Sequence, residues 1–265
     1  MYIISRTNKS TARTADILSL IGSQKKSLTI SEISRILDIP KSSTSEILYT
    51  LVEKEFLEID NAELKNFKLG IKIFEIGSSF LGKTDFHRFA RPYLEDLMDK
   101  SGETVFLAIE NNGKIVYLDK AEGLSSIRTT CVIGESNLMH YTGLGKALLA
   151  TYSLERVKEI VNMYPLSKKT DYTITNFQDL IEDLEKIRKR GYSIDDREGV
   201  EELFCIAAPI YDRFNKPIAA ISIASIYSKI NDEKSQKLSK LLVSTALNIS
   251  KRLGFTEQDL YFNFH

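Results

Sequence analysis

The spacing of hydrophobic residues changes period several times along the chain, and each change marks an element. From Thr11 to Ile21, Ala12, Ala15, Leu18 and Ile21 fall near helical spacing, and Gly22 follows as a C-terminal stop. Thr29-x-x-Glu32 has the form of a capping box, in which each side chain satisfies the other residue's free backbone N–H. Ile33, Ile36 and Leu37 then predict an inward stripe, and Asp38-Ile39-Pro40 predicts a turn. A second helix is predicted from Lys41 to Lys54, with Ile47, Leu48, Leu51 and Val52 inward. Leu57-Glu58-Ile59 and Phe67-Lys68-Leu69 alternate with period two around a polar turn at Asn61 to Lys65, which predicts a two-stranded wing. Two short helices, a tight turn and a wing form the pattern of a winged helix-turn-helix.

Ile71 to Leu81 is apolar at Ile73, Phe74, Ile76, Phe80 and Leu81, with few charges. It predicts a helix packed on both sides and a natural linker, with the boundary near Gly82-Lys83. The chain thus divides into a head (1–70), a linker helix (71–83) and a body (84–265). In the body, Asp85 to Lys100 predicts a helix carrying Phe86, Phe89, Tyr93, Leu94 and Leu97 inward, ended by Ser101-Gly102. Thr104–Ile109 and Lys114–Leu118 predict strands around Asn111-Asn112-Gly113, because Asn-Gly accepts the positive φ of a tight hairpin. Ile127 to Ile133 predicts a further strand, and a helix is expected from Gly143 through Ala147 to Thr151. Thr175-x-x-Gln178 predicts the cap of a helix with Phe177, Leu180, Ile181, Leu184 and Ile187 inward and Gly191 as its stop. Leu203–Tyr211 and Ile218–Ile226 predict apolar strands, and Asp232 to Leu253 a long amphipathic helix. Hairpins separated by helices predict an α+β fold on an antiparallel sheet.

Composition changes this picture little. The 265 residues carry the apolar and charged fractions of an ordinary globular protein, and the length suits two domains. The two cysteines, Cys131 and Cys205, lie far apart without a C-x-x-C pattern, which points to a reducing compartment. The N-terminus lacks the apolar core of a secretory signal, and no run is long and apolar enough to span a membrane. A cytoplasmic location is expected.

Charge sharpens it more. The formal net charge is zero, so any basic surface must be local. Arg6, Lys9, Arg13, Lys25, Lys26, Arg35 and Lys41 outnumber Asp16, Glu32 and Asp38 at the start of the chain. That distribution fits a small DNA-binding head on a neutral body. With Ile47, Leu48 and Leu51 facing the core, helical geometry turns Lys41, Ser42, Ser45, Glu46 and Tyr49 outward. Ser43 and Thr44 fall near the helix N-terminus, where backbone N–H groups attract phosphate. The hydroxyls can bond bases or phosphates, Glu46 can accept from a cytosine amine, and Tyr49 can pack on the sugar backbone. Lys65 and Lys68 of the wing can sit on neighbouring phosphates. One head reads few base pairs, so a dimer on two half-sites of duplex DNA is expected. The plainer reading is a small helical domain that binds protein, or a solvated helix surface.

Several blocks in order resemble the IclR family of transcriptional regulators, over roughly Ala12 to Leu253. The head matches in LTISEISRILDIPKSSTSEILYTLVEKEFL and in FKLG from Phe67. The body matches in SGETVFLAIENNGKIVYLDK, in HYTGLGKALLA from His140 and in EELFCIAAPIYD from Glu201. The resemblance implies a winged helix-turn-helix, a linker helix and a GAF-like effector-binding domain, in a homodimer or tetramer. It also implies an operator-binding regulator, most often a repressor, responsive to a small organic acid. Residue by residue, it places the effector at Gly143 and Leu144, at Asp195, Cys205 and Ser222, with Leu138 and Met139 as an apolar wall. A carboxylate suits a helix N-terminus beside hydroxyl and thiol donors. The chain departs from the family pattern at Glu46, where arginine is frequent, at Glu202, where glycine is usual, and at Ala224, where a second serine is usual.

Other chemistries find weaker support. Cys205 as a nucleophile would need His87 or His140 as base, and neither lies at a revealing spacing. Cys131, Cys205 and His140 lack metal-ligand spacing. No Gly-rich phosphate cradle is present, and no cofactor is expected. The alternative function is a metabolite-binding or enzymatic body whose head contacts protein.

Overall fold

The structure is a computed structural model. It describes residues 8–24, 26–61, 65–83, 85–123 and 131–262, and only the backbone of residues 78–83, 85 and 87. Two compact units result, Met1–Asp85 and Phe86–His265.

The first unit opens with α1 (Lys9–Ser23), which runs through Gly22 and is capped by Asn8. Then follow β1 (Leu28–Thr29), α2 (Ile30–Leu37), α3 (Lys41–Glu53), β2 (Leu57–Asn61), β3 (Asn66–Leu69) and α4 (Ile71–Lys83). The capping box forms as its spacing predicts: Glu32 N–H donates to Thr29 Oγ1 at 3.2 Å, and Thr29 N–H to the Glu32 carboxylate at 2.8 Å. Asp38 takes the left-handed conformation (φ 52°) that ends α2 and turns the chain into α3. The core holds Ile17, Ile33, Leu48, Leu57 and Phe67. Ile36 departs from its expected inward position and is 50 % exposed, whereas Ile33 and the turn residue Ile39 are buried. The wing has one strand more than expected. β1 pairs with β3, giving the order β1-β3-β2, so the segment just before the capping box is stitched to the wing. Part of the expected wing turn (62–64) lies outside the described residues. α4 covers the expected linker helix, but Ile71, Phe74 and Ile76 are exposed on it rather than packed on both sides.

In the second unit, α5 (Asp85–Ser101) buries Ala90, Leu94 and Leu97. It precedes β4 (Thr104–Asn111) and β5 (Lys114–Ala121). Their hairpin turns at Asn112 (φ 51°) and Gly113 (φ 80°), as the Asn-Gly pair predicts. The strand expected at Ile127–Ile133 falls mostly outside the described residues, and residues 131–133 are not strand. The next strand is instead β6 (Ser136–Leu138).

After β6 come α6 (Gly143–Leu149), α7 (Leu154–Met163) and α8 (Phe177–Arg190). α8 is capped by Asn176, one residue after the expected Thr175, and stops at the left-handed Gly191. β7 (Ser193–Asp196), β8 (Leu203–Tyr211), β9 (Pro217–Ile226) and α9 (Asp232–Arg252) complete the unit. The six strands form one antiparallel sheet of order β6-β5-β4-β9-β8-β7. On β8, Cys205 and Ala207 face α6, since a methyl built on Gly143 would meet both Cβ atoms at 3.6 Å. Period-two alternation turns the buried Phe204, Ile206 and Ala208 to the other face. The fold is therefore α+β with an antiparallel sheet, as the hairpin pattern predicts.

Candidate functional site: the open start of α3 and a cavity in the second unit

The start of α3 is built to be open. Its N-cap is Pro40, which makes no side-chain capping bond, so the first N–H groups of the helix lack the usual internal partner. Lys41, Ser42 and Glu46 are exposed and Ser43 and Ser45 half-exposed along this surface. Tyr49 is 41 % exposed and rests edge-on against Phe67 of the wing, with ring centroids 5.9 Å apart.

Thr44 does not share that surface. It is fully buried, and its hydroxyl donates to the Pro40 carbonyl at 3.1 Å. A short hydroxyl side chain can satisfy itself on the preceding turn, which is why it lies inward among residues expected to face DNA. Thr44→Val should cost about 1–2 kcal/mol of head stability in denaturant unfolding, with sequence preference on DNA unchanged. A change of preference without loss of stability would reverse this assignment. Lys65 is exposed at a left-handed turn position (φ 50°). Lys68 is held by the wing's own acids, Asp60 at 2.9 Å and Glu58 at 3.9 Å, so phosphate would compete with them for it.

The second unit holds a partly open cavity of about 140 Å³ against one face of its sheet. Strand register sets the floor. Asp195 of β7 stands opposite Cys205 of β8, which stands opposite Ala224 of β9. Two residues further along β9, Ser222 stands opposite Phe106 of β4. Asp195, Cys205, Ala224, Ser222 and Phe106 all line the cavity. Gly143 and Leu144, at the start of α6, close one side. Thr142 caps that helix by accepting from Gly145 N–H at 3.1 Å.

Five of the seven effector positions implied by the resemblance therefore meet here: Gly143, Leu144, Asp195, Cys205 and Ser222. Leu138 and Met139 are not in the lining. Leu138 belongs to β6, and Met139 is buried in the core beneath α6 at 1 % exposure. The lining also includes Tyr117, Tyr141, Asn137 and Lys169, which sequence reasoning did not single out. They lie on separate strands and loops, and only the hairpin register and the close of β6 onto α6 bring them together. Tyr141 hydroxyl donates to the Asn137 side chain at 3.2 Å, and Tyr117 packs edge-on against Phe106 with centroids 5.5 Å apart.

Burial shapes the chemistry. Asp195 Oδ1 accepts from the N–H groups of Glu198 and Gly199 at 2.8 and 3.3 Å. Desolvation nevertheless pushes its carboxyl up to about 6, with Lys146 opposing the shift. Lys146 itself is 1 % exposed and lies between Glu198 and Asp183, the latter 2.8 Å away. Desolvation pushes Glu198 up to about 7, again against the pull of Lys146. The Cys205 thiol is pushed well above its ordinary value by burial, so it is a neutral donor and a poor nucleophile. His140 bonds the Ser167 carbonyl at 3.0 Å and is not in the cavity lining, and the His87 side chain lies outside the described residues. No cluster of three or more His, Cys, Asp or Glu suited to a metal occurs among the described residues. No helix among them is long and apolar enough to cross a membrane.

A winged helix-turn-helix whose α3 is exposed at its start, joined in one chain to a sheet domain with a polar–apolar cavity, is the architecture of a DNA-binding regulator. Known proteins make the class specific. Residues 10–61 match the IclR helix-turn-helix domain, and residues 78–251 match the bacterial transcriptional regulator IclR C-terminal domain. The chain is 32 % identical over 248 residues to the transcriptional repressor IclR of Escherichia coli (strain K12), covering 93 % of this chain and 90 % of that protein. The crystal structure of the Thermotoga maritima IclR shares 33 % identity, with a TM-score of 0.74 over 92 % of this chain and 98 % of that one. An IclR homolog from Microbacterium hydrocarbonoxydans, complexed with 4-hydroxybenzoate, shares the fold at 21 % identity, with a TM-score of 0.79 over 94 % of this chain and all 100 % of that one. The chain belongs to the IclR family of bacterial transcriptional regulators.

Proposed function

We propose that the protein is a repressor whose hold on its operator is set by a small organic acid bound in the cavity of the second unit. The observation that carries this reading is the cavity's lining. Backbone groups at the start of α6, the Cys205 thiol and the Ser222 hydroxyl supply donors, and Phe106, Leu144 and Ala224 supply an apolar wall. A compact acid fits both the donors and the volume of about 140 Å³. Asp195 takes a donor from the ligand, such as a hydroxyl. The ligand bound to the Microbacterium homolog, 4-hydroxybenzoate, has that chemistry.

On the DNA side, Lys41, Ser42, Ser43, Ser45, Glu46 and Tyr49 face the major groove, with Lys65 and Lys68 on the flanking phosphates. Two heads act together in a dimer, which would cover the apolar Ile71, Phe74 and Ile76 exposed on α4. The acid binds one arrangement of the dimer better than the other and shifts operator affinity by that difference.

The test is to recover and sequence genomic fragments bound by the purified protein, then titrate acids against the fragment. Affinity is expected to fall about a thousandfold between about 50 and about 200 mM salt, as phosphate contacts predict. Lys41→Ala should weaken binding evenly across sequences, whereas Ser45→Ala should relax preference at one base position. Salt-independent binding, or an operator complex indifferent to every acid the protein binds, would sink the reading.

A further inference from the structure

The exposed residues among the cavity lining, Glu135, Lys169 and Val200, mark its mouth. Lys169 belongs to the loop that follows α7, Gly199 and Val200 to the loop between β7 and β8, and Leu203 opens β8. These two loops are strapped together. Thr170 hydroxyl donates to the Arg197 carbonyl at 2.7 Å, and Thr173 hydroxyl to the Glu198 carbonyl at 2.8 Å. A third segment, the turn after β9, joins them where Tyr227 N–H donates to the Glu202 carbonyl at 2.8 Å.

Arg197 sits where the three meet. Its guanidinium lies 3.8 Å from the ring centroid of Tyr172 and 3.9 Å from that of Tyr227, one aromatic from each flanking segment. Asp196 fixes the guanidinium's Nε at 2.8 Å. Its backbone is left-handed (φ 65°), a conformation unfavourable to a residue with a Cβ. Its N–H donates to the Leu203 carbonyl at 3.1 Å, so this turn is tied to the start of β8 as well as to Thr170. Neither Arg197 nor either tyrosine lines the cavity.

We infer that the Tyr172–Arg197–Tyr227 stack is a latch on the cavity mouth, with Arg197 as a positioning residue that sets how fast ligands enter and leave. This rests on the reading of the cavity as the effector site. A planar guanidinium held between two rings gains from both faces, and a lysine ammonium cannot reproduce that.

Cys205 gives a readout that needs no identified ligand. In the full-length protein with Cys131→Ser, Cys205 is the only thiol. Burial keeps its thiol neutral and slow to react, so exchange with a small neutral aromatic disulfide, dithiodipyridine, reports opening of the mouth, which admits reagent and relieves that burial. Arg197→Ala and Tyr172→Ala should speed that reaction about tenfold, the size expected for losing cation–π contacts. Tyr172→Phe keeps the ring and should react at the parental rate. Global unfolding measured on the same variants separates opening from general loosening. An unchanged rate in Arg197→Ala, or an acceleration that merely tracks global unfolding, overturns the latch. With 4-hydroxybenzoate as the binding probe, association and dissociation rates should rise together while Kd moves little. Faster labelling without binding of this or any other small acid would uphold the latch and count against the effector assignment.

Discussion

Lys146→Met should destabilise the second unit by about 3–5 kcal/mol at pH 8, the cost of stranding buried carboxylates without their cation. Lys146 is 1 % exposed and shared between Glu198 and Asp183, so methionine keeps most of the apolar stem and removes the charge with its hydrogen bonds. The loss should shrink at pH 5. Glu198 and Asp195 have folded pKa values raised to about 7 and about 6 by burial. Between the ordinary carboxylate range and those values the folded chain holds protons that the unfolded chain has released. Their contribution to stability is therefore present at low pH and fades as pH rises through the folded values. Lys146 offsets that fading by stabilising the charged forms. Its removal consequently matters most above about pH 7 and least when both carboxyls are protonated. Urea unfolding at the two pH values measures this directly; equal losses at both would show that the lysine acts through packing alone.

The second large effect is steric. Gly145→Ala would drive a methyl into Met139 Cα and its carbonyl oxygen and to within 2.6 Å of Thr142 Oγ1. Two of these three atoms are backbone, so no rotamer change relieves the clash. The substitution should cost about 3 kcal/mol and displace the start of α6, with effector response lost along with it. Gly143→Ala is the informative contrast. Its methyl would meet Cys205 Cβ and Ala207 Cβ at an ordinary 3.6 Å, so the fold should survive. Thermal melts of the two variants side by side would separate them. Equal melting temperatures would mean that α6 can shift freely against residue 139.

Much of this architecture could be read from spacing alone. The capping box at Thr29, the αL turn at Asp38 and the Asn-Gly hairpin each depend on one local interaction, and local interactions survive the absence of a fold. What escaped has identifiable causes. β6 and β7 span three and four residues, too few for alternation to show. α7 carries local signals of the same kind: Ser153 caps it, and Val157 and Ile160 fall at helical spacing on its buried face. Thr44 lies inward because its hydroxyl finds a carbonyl one turn back, and Ile36 is exposed while Ile39 of the adjoining turn is buried. In the cavity, Gly143, Leu144, Asp195, Cys205 and Ser222 were reached through family resemblance. Tyr117, Tyr141 and Lys169 were not, because no period or motif connects them; strand register and loop closure do.

The two ends of the large sheet carry a further consequence. Its inner strands run eight to ten residues, whereas the edges β6 and β7 stop at three and four. β7 also carries Asp195 and Asp196 in that short span. A foreign strand docking on either rim would find few backbone groups to pair with, and on one side two acids within the span. Short rims of this kind leave little template for edge-to-edge pairing between copies of the chain.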